Sequence, residues 1–510
     1  MPFRYLLASP TGNGCGLAIL RVDGGPVVAI SVLPKLWPTV AAADVCVDDT
    51  SAVGILHVAV RELQVLRLSG SSEAALDASV VALTNLRFEV DADDVMLPAS
   101  SKPVDALFQE LTATDARSRS PELSASDRDT QFASELQLAD AFWTGVEDLG
   151  ATDLVRVPLQ VPTDDAALLG RRLLSSLPAL ERVLREVFIA EAEAALKRRM
   201  PDFRTTTEPL SFIRGSLTQA GLRRAVLGGV TDLECSFAEL DHDHPWQQVI
   251  RAAAHRVAVR DQREGTGSGR LSRCRRIDRR LLEVAVVRDS GLLRQNYDER
   301  ALGKNRHASV AARLGLAILR RDSPVGYAGS RTRDLATATG LRLSTARLFE
   351  RMLTTPFEFP AKFVMVENRE RVALLKGQPA TKRPDLLLIP LEKLHSFTVA
   401  DSVALVDAKY KTRTPEVPGA MEMGDQYQQF AYATATGKPT VFVFASGPDR
   451  EPRASPWFET NGVQAGAGVA VASIPCPQPS RPWRGQLADA LRALVPMIVE
   501  GSPPVAVPSA

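Results

Sequence analysis

Arg383-Pro384-Asp385-Leu386-Leu387-Leu388-Ile389, Ala404-Leu405-Val406-Asp407-Ala408-Lys409-Tyr410-Lys411 and Asp425-Gln426-Tyr427-Gln428-Gln429-Phe430-Ala431-Tyr432-Ala433 are the three runs that decide the fold. The first two are short apolar stretches bounded by Pro and polar residues, the pattern of buried strands. The third reads as a helix that stops at Gly437. Alternate residues of a strand share a face, so Asp407 and Lys409 project together while Ala408 faces away. Asp385 stands at the mouth of the other strand. Two carboxylates and an ammonium at adjacent strand ends suit a hard divalent ion. Mg²⁺, or Mn²⁺ in its place, takes oxygen ligands and keeps several waters. Such an ion acidifies a water and neutralises charge on a phosphate under attack. Lys409 can hold or deprotonate that water, or stabilise the developing anion.

The setting separates this site from chance. Both acids belong to apolar runs, and Gln428 and Tyr432 lie four apart on one helical face. Pro201-Asp202, by contrast, leads into Phe203-Arg204 with no apolar run behind it. Upstream, Ser344 is a plausible cap for a helix carrying Leu348-Phe349-Glu350-Arg351-Met352-Leu353. Strands are expected at 363–367 and 372–375, at the two motif runs and at Thr440-Val441-Phe442-Val443-Phe444. A closing helix is expected over 486–499. This succession resembles the PD-(D/E)xK nuclease superfamily, with Pro384-Asp385 and Asp407-Ala408-Lys409 as its signature. Gln428 and Tyr432 match the Gln-x-x-x-Tyr element of its RecB-like members. The bland alternative is two core strands with charged ends.

The rest of the chain sets bounds. At 510 residues it has length for several domains. With 61 basic and 60 acidic side chains it is no general polyanion binder, so nucleic-acid contact must come from local patches. The five cysteines form no Cys-x-x-Cys pair, which argues against a zinc ribbon or iron–sulfur cluster. No GxxxxGK[ST] motif, spanning apolar run or signal-peptide pattern occurs, so a cytoplasmic protein outside the membrane is expected.

Residues 1–160 read as strand-rich, with apolar runs at 53–56 and 80–86, and 98–132 read as a polar linker. Gly12-Asn13-Gly14-Cys15-Gly16 reads as a turn. A packing helix is expected over 178–199 and another over 305–321. Asp241-His242-Asp243-His244 looks metal-like, but Asp243 ahead of Pro245 favours a helix entrance. Residues 251–280 hold ten arginines and three acids, Asp261, Glu264 and Asp278. Contact with phosphate or a partner's acids, and a solvated, ion-paired helix face, are both open readings. Residues 265–269 read as a flexible glycine link.

With the flanks included, the chain resembles McrC, the nuclease subunit of McrBC-type modification-dependent restriction systems. Leu348-Phe349-Glu350, the Pro-Asp strand, Asp407–Lys411 and Asp425–Ala433 match that family's elements, as does Arg214-Gly215 upstream. In the family's Asp-x-Pro-x-Asn segment, here Asp243-His244-Pro245-Trp246-Gln247, Gln replaces the usual Asn. The resemblance covers roughly residues 205–450. It implies a Mg²⁺-dependent endonuclease cutting duplex DNA with a separate AAA+ GTPase ring, McrB-like, whose hydrolysis it stimulates. Asp385 and Asp407 would bind Mg²⁺, joined by a carbonyl near Ala408. Lys409 would activate water, Gln428 and Tyr432 would orient the site or touch phosphate, and Glu350 would be a third acid. Lys411 is either a further phosphate contact or a solvated lysine, and Tyr410 is core.

The expected architecture is a multidomain α/β chain. A β-rich N-terminal region (1–160) and a mainly helical middle region (161–343) would contact the partner. A restriction-endonuclease-like mixed sheet flanked by helices would follow (344–500), then a frayed tail (501–510). A stand-alone RecB-like nuclease and an inert nuclease-fold scaffold that only activates the GTPase are the alternatives.

Overall fold

The computed structural model describes residues 3–7, 14–21, 27–37, 44–46, 55–62, 65–69, 125–156, 177–197, 202–228, 232–241, 243–265, 268–286, 305–320, 339–354, 362–373, 381–411, 414–459, 468–479 and 481–500. They form a mixed α/β molecule with two compact units, residues 1–183 together with 325–510, and residues 184–324. The first unit is discontinuous and cuts across the consecutive segments 1–160, 161–343 and 344–500.

The chain opens with six strands: β1 (Phe3–Leu7), β2 (Cys15–Arg21), β3 (Val27–Leu33), β4 (Asp44–Cys46), β5 (Ile55–Arg61) and β6 (Val65–Ser69). One sheet runs β1-β6-β4; a second joins β2, β3 and β5. The expected strand at 80–86 lies outside the described residues, as does most of the 98–132 stretch. Residues 125–132 correct the linker reading, because they are the first turns of helix α1 (Ala125–Asp148). The apolar residues that anchor this helix, Phe142, Trp143 and Val146, all lie in its last turns and are fully buried. Its polar start therefore shows no helical period.

Helix α2 (Pro178–Lys197) leads into the second unit. There follow β7 (Asp202–Leu210), β8 (Ser216–Leu217), helix α3 (Gln219–Gly228) and β9 (Leu233–Asp241), with strand order β7-β9-β8. Helices α4 (Pro245–Glu264), α5 (Ser268–Arg280) and α6 (Arg306–Arg320) complete it. Pro245 opens α4 as expected, with His244 at the cap, while Asp243 accepts from Gln248 Nε2 at 3.0 Å and from the Ala285 amide at 2.7 Å. Helix α4 ends at Gly265 and α5 starts at Ser268, so the expected glycine link is shorter than 265–269. Of the two readings of the arginine tract, ion pairing accounts for several members. Arg251 pairs with Asp278, Arg260 with Glu264, Arg270 with Asp261, and Arg273 with both Glu186 and Glu193.

In the first unit the chain resumes at β10 (Thr339–Leu343), which pairs antiparallel with β2 to give the order β10-β2-β3-β5. The two strands approach so closely that a Cβ on Gly16 would lie 2.0 Å from the Leu341 carbonyl oxygen, and Gly16 has φ 142°. Only glycine fits there without distortion. Helix α7 (Thr345–Thr354) follows, and Ser344 Oγ accepts from the Arg347 amide as its cap. Then come β11 (Phe363–Glu367), a small β12 (Val372–Ala373) and β13 (Thr381–Lys382) ribbon, β14 (Leu386–Pro390) and β15 (Ala404–Lys409). Helix α8 (Met423–Thr436), β16 (Thr440–Ser446), β17 (Arg453–Ala454), β18 (Phe458–Glu459), β19 (Gly468–Pro475) and helix α9 (Trp483–Glu500) end the described chain. The main sheet runs β11-β14-β15-β16-β19-β17, with β18 also on β19. β11, β14 and β15 are antiparallel, and β15, β16 and β19 are parallel. Its central strands are mostly apolar and buried, β15 turning polar only at its Asp407–Lys409 end. On the α8 side, Leu387, Leu405, Phe442, Phe444 and Val471 pack with Tyr432 and Met421. No described helix is long and apolar enough to cross a membrane.

Candidate active site

The β14–β15 register builds the site. Leu386 pairs with Val406, which leaves Asp385, just ahead of β14, beside the Asp407–Ala408 end of β15. Asp385 Oδ2 accepts the Ala408 amide at 2.9 Å, so this carboxylate is fixed by the neighbouring backbone. Asp407 is 2% exposed. Lys409, two residues on and on the same face, brings Nζ to 2.6 Å from Asp407 Oδ2. The buried Asp407 carboxylate is thus ion-paired to Lys409. The Lys409 ammonium also donates to Gln428 Oε1 at 3.0 Å and lies 4.7 Å from the Phe442 ring centroid. Gln428 Nε2 in turn donates to the Tyr432 hydroxyl at 3.0 Å. The i,i+4 spacing on α8 thus becomes a relay from strand to helix.

The electrostatics show crowding of negative charge. Burial, then the Asp385 charge, pushes the Asp407 carboxyl up to about 7, although Lys409 opposes the shift. Burial also raises Asp385, against its bond from Ala408 and the nearby lysine. Glu350, on α7, is pushed up to about 7, by burial first and then by Asp385 and Asp407. That dependence places Glu350 within the field of both acids. The structure therefore brings Asp385, Asp407, Lys409, Gln428 and Tyr432 into one bonded set, with Glu350 alongside.

Lys411 goes elsewhere. It lies beyond the end of β15, and its Nζ sits 2.6 Å from both Glu422 Oε2 and Asp425 Oδ2. Asp425 Oδ1 is also 3.7 Å from Lys409 Nζ, so one carboxylate bridges the two lysines. Tyr410 is buried in the core, as expected.

Two positioning residues escaped the sequence reading. Asn368 is fully buried. Its Nδ2 donates to the Pro384 carbonyl at 3.1 Å, and its backbone amide donates to the Asp385 carbonyl at 3.0 Å. It is therefore the residue that holds Asp385 in place. Gln429 Nε2 donates to the carbonyls of Thr440 at 2.9 Å and Ala470 at 2.6 Å. Gln429, not Gln428, thus caps the backbone of the neighbouring strands. A buried Asn in a polar strand-end sequence, or one Gln of a Gln-Gln pair, carries no periodic signal. Asn368→Ala removes the side-chain bonds to Pro384 and to both backbone groups of Glu370. The expected loss is about 2–4 kcal/mol in urea unfolding, because buried backbone groups are left unpaired.

The donor set is small and all oxygen. Among the described residues no group of three His, Cys, Asp or Glu side chains is arranged to hold a metal. Two carboxylates are present, mutually repelling, and the more buried one is balanced only by Lys409 among its close contacts with described residues. Mg²⁺, which binds through one or two carboxylates and completes its shell with water, fits that set.

A mixed sheet with an acidic, lysine-containing strand end is the class that fold and site define. The sequence model of the family described as "McrBC 5-methylcytosine restriction system component" matches residues 168–444. That span is more than half of the chain, and the chain belongs to this family. No curated protein matches it in sequence. Among solved structures, it is similar at 13% identity to a refined half-complex from a tetradecameric assembly of Thermococcus gammatolerans McrB AAA+ hexamers with bound McrC. The TM-score is 0.29, over 70% of this chain and 76% of that one. A second likeness is to the Thermococcus gammatolerans McrBC complex, at 13% identity and a TM-score of 0.24, over 41% of this chain and 56% of that one. Both scores are below the level that marks a shared fold, and the family assignment rests on the sequence match.

Proposed function

We propose that the chain is the DNA-cutting, McrC-type subunit of a restriction system, with a PD-(D/E)xK nuclease site on its C-terminal sheet. The observation that carries this reading is the placement of Asp385, Asp407 and Lys409 at adjacent strand ends, with the acids too crowded to ionise together comfortably. The family match supports a place in a multi-component restriction system. An AAA+ GTPase ring is the proposed partner, with duplex DNA as substrate, and the N-terminal and middle regions are the proposed partner contacts.

Asp385 and Asp407 would hold Mg²⁺, with the Ala408 carbonyl as a further ligand and Glu350 as a third acid nearby. The bound ion would supply charge neutralisation at the phosphodiester and a more acidic water. Lys409 has its ammonium fixed by Gln428, so it can orient that water or meet charge developing on phosphate. Tyr432 holds Gln428 against rotation. The order of α7, the antiparallel β11-β14-β15 set, α8 and the parallel β16 supports the superfamily assignment.

The test is cleavage of duplex DNA, with and without 5-methylcytosine, by purified chain plus its AAA+ GTPase, GTP and Mg²⁺. Lys409→Met is expected to lower the cleavage rate at least about 100-fold while leaving partner binding and GTPase stimulation intact. Wild-type chain that stimulates GTP hydrolysis but never cuts DNA would establish the inert-scaffold alternative. Full-rate cutting without partner or nucleotide would establish a stand-alone nuclease.

A further inference from the structure

We propose that Lys35, in the N-terminal part of the chain, is a positioning residue for the strand end that carries Lys409. This rests on the nuclease reading of the site for its kinetic consequence, though not for the contact itself.

Lys35 lies in the tight turn after β3, where the Trp37 amide donates to the Pro34 carbonyl at 2.8 Å. Its Nζ donates to the Tyr410 carbonyl at 2.8 Å, and the ammonium stands 4.5 Å from the Tyr410 ring centroid. Tyr410 directly follows Lys409, and the ladder between β15 and β16 stops at the Lys409–Phe444 pair. Past that pair the strand end has lost its regular partner, and a buried carbonyl there needs a donor. Lys35 supplies it from a position 375 residues away.

The same turn reaches a second element of the site. The Lys35 amide donates to Glu62 Oε2 at 3.3 Å, and Glu62 Oε1 accepts from Thr345 Oγ1 at 2.9 Å. Thr345 is the first residue of α7, the helix that carries Glu350. One turn therefore pins both the end of β15 and the start of α7. Neighbouring packing leaves it little freedom. Trp37 is 5.2 Å from Trp483 and 6.0 Å from Phe142, ring to ring. The gap among Pro34, Trp37, Thr345, Phe349, Tyr410 and Cys476 has a volume of only about 10 Å³. A shift of the turn is transmitted to both elements because close-packed interiors yield little.

Lys35→Met keeps the aliphatic stem and removes the donor. In the full chain with its GTPase, GTP, Mg²⁺ and methylated duplex DNA, kcat is expected to fall about tenfold with KM for DNA within about twofold. Backbone amides of residues 409–411 are expected to exchange hydrogen at least about tenfold faster, with α8 unchanged. The Tyr410 hydroxyl also accepts the Leu36 amide of this turn at 3.4 Å, so the control is made at Lys35 itself: Lys35→Arg, which keeps a cationic donor for the Tyr410 carbonyl, is expected to retain most of both readouts. Unchanged exchange at 409–411 in Lys35→Met, or unchanged kcat, overturns the proposal, as does a Lys35→Arg defect equal to that of Lys35→Met. If Lys35→Met does not fold, exchange in the wild-type chain decides. Residues 409–411 should then be protected like β15 itself, and fraying overturns the proposal. Should wild-type chain cut no DNA, the nuclease reading fails while the exchange result still decides the role of Lys35.

Discussion

Asp407→Asn is expected to abolish Mg²⁺-dependent cleavage, by about 1000-fold or more, without lowering the stability of the metal-free chain at pH 8. The two effects share one cause. Asp407 is buried against a second carboxylate, which raises its pKa to about 7. A carboxyl whose folded pKa lies above its unfolded value, about 3.9, favours folding below the unfolded pKa. That contribution is lost as pH rises through the folded pKa. Wild-type protein without metal should therefore lose stability between about pH 4 and pH 7, by on the order of 2–4 kcal/mol from this group. Asparagine removes the loss, partly offset by the carboxylate partner taken from Lys409. Mg²⁺ should raise the melting temperature of wild type at pH 8 and leave Asp407→Asn unmoved, since an ion that binds only the folded state stabilises it. A clearly destabilised, metal-responsive Asp407→Asn chain would refute this account of the acidic pair.

The second large effect belongs to the other compact unit. Asp261 has a fully buried side chain. Its Oδ1 accepts from Arg185 Nη1 at 2.7 Å, and its Oδ2 accepts from Arg270 Nε at 2.9 Å. The Arg185 and Arg270 side chains are themselves only 5% and 7% exposed. Asp261→Ala leaves two buried guanidinium groups without their shared acid, and losses of about 3–5 kcal/mol are typical when one partner of a buried pair is removed. Arg185 keeps Glu264 and Arg270 keeps Glu186, so about 3 kcal/mol is expected in urea unfolding. High salt should change this loss little, because buried pairs are poorly screened. Arg224→Ala, at the exposed pair with Glu234, should cost at most about 1 kcal/mol and respond to salt. An Asp261→Ala loss below about 1 kcal/mol would mean that the remaining acids absorb both arginines.

What could be read in the sequence was what local periodicity encodes. Alternation on β15 put Asp407 and Lys409 on one face, and the four-residue spacing on α8 put Gln428 above Tyr432. Pro245 marked a helix start, and apolar runs marked β14 and β16. The contacts that fix the site follow no period. Asn368 meets Pro384 across a strand turn, Gln429 bridges β16 and β19, and Lys35 comes from the far end of the chain. Such bonds depend on which buried carbonyl lies within reach, and that is set only once the sheet is assembled. Lys411 shows the same limit from the other side. Its place after Lys409 left phosphate contact and a solvated lysine both open, but the first turn of α8 supplies Asp425 to hold it.

The pairing of β2 with β10 also bears on how the chain is made. Cys15 and Leu343 meet at a separation of 328 residues. During synthesis, residues 184–324 have emerged in full before the strand that completes the β10-β2-β3-β5 sheet exists. The middle unit can thus condense first, while the edge of β2 waits for its partner. Long-range closure of this kind is slow, and an open apolar edge invites pairing with other chains. Chains ending before residue 339 lack β10 and leave that side of β2 without its partner, so they are expected to aggregate more than the full chain.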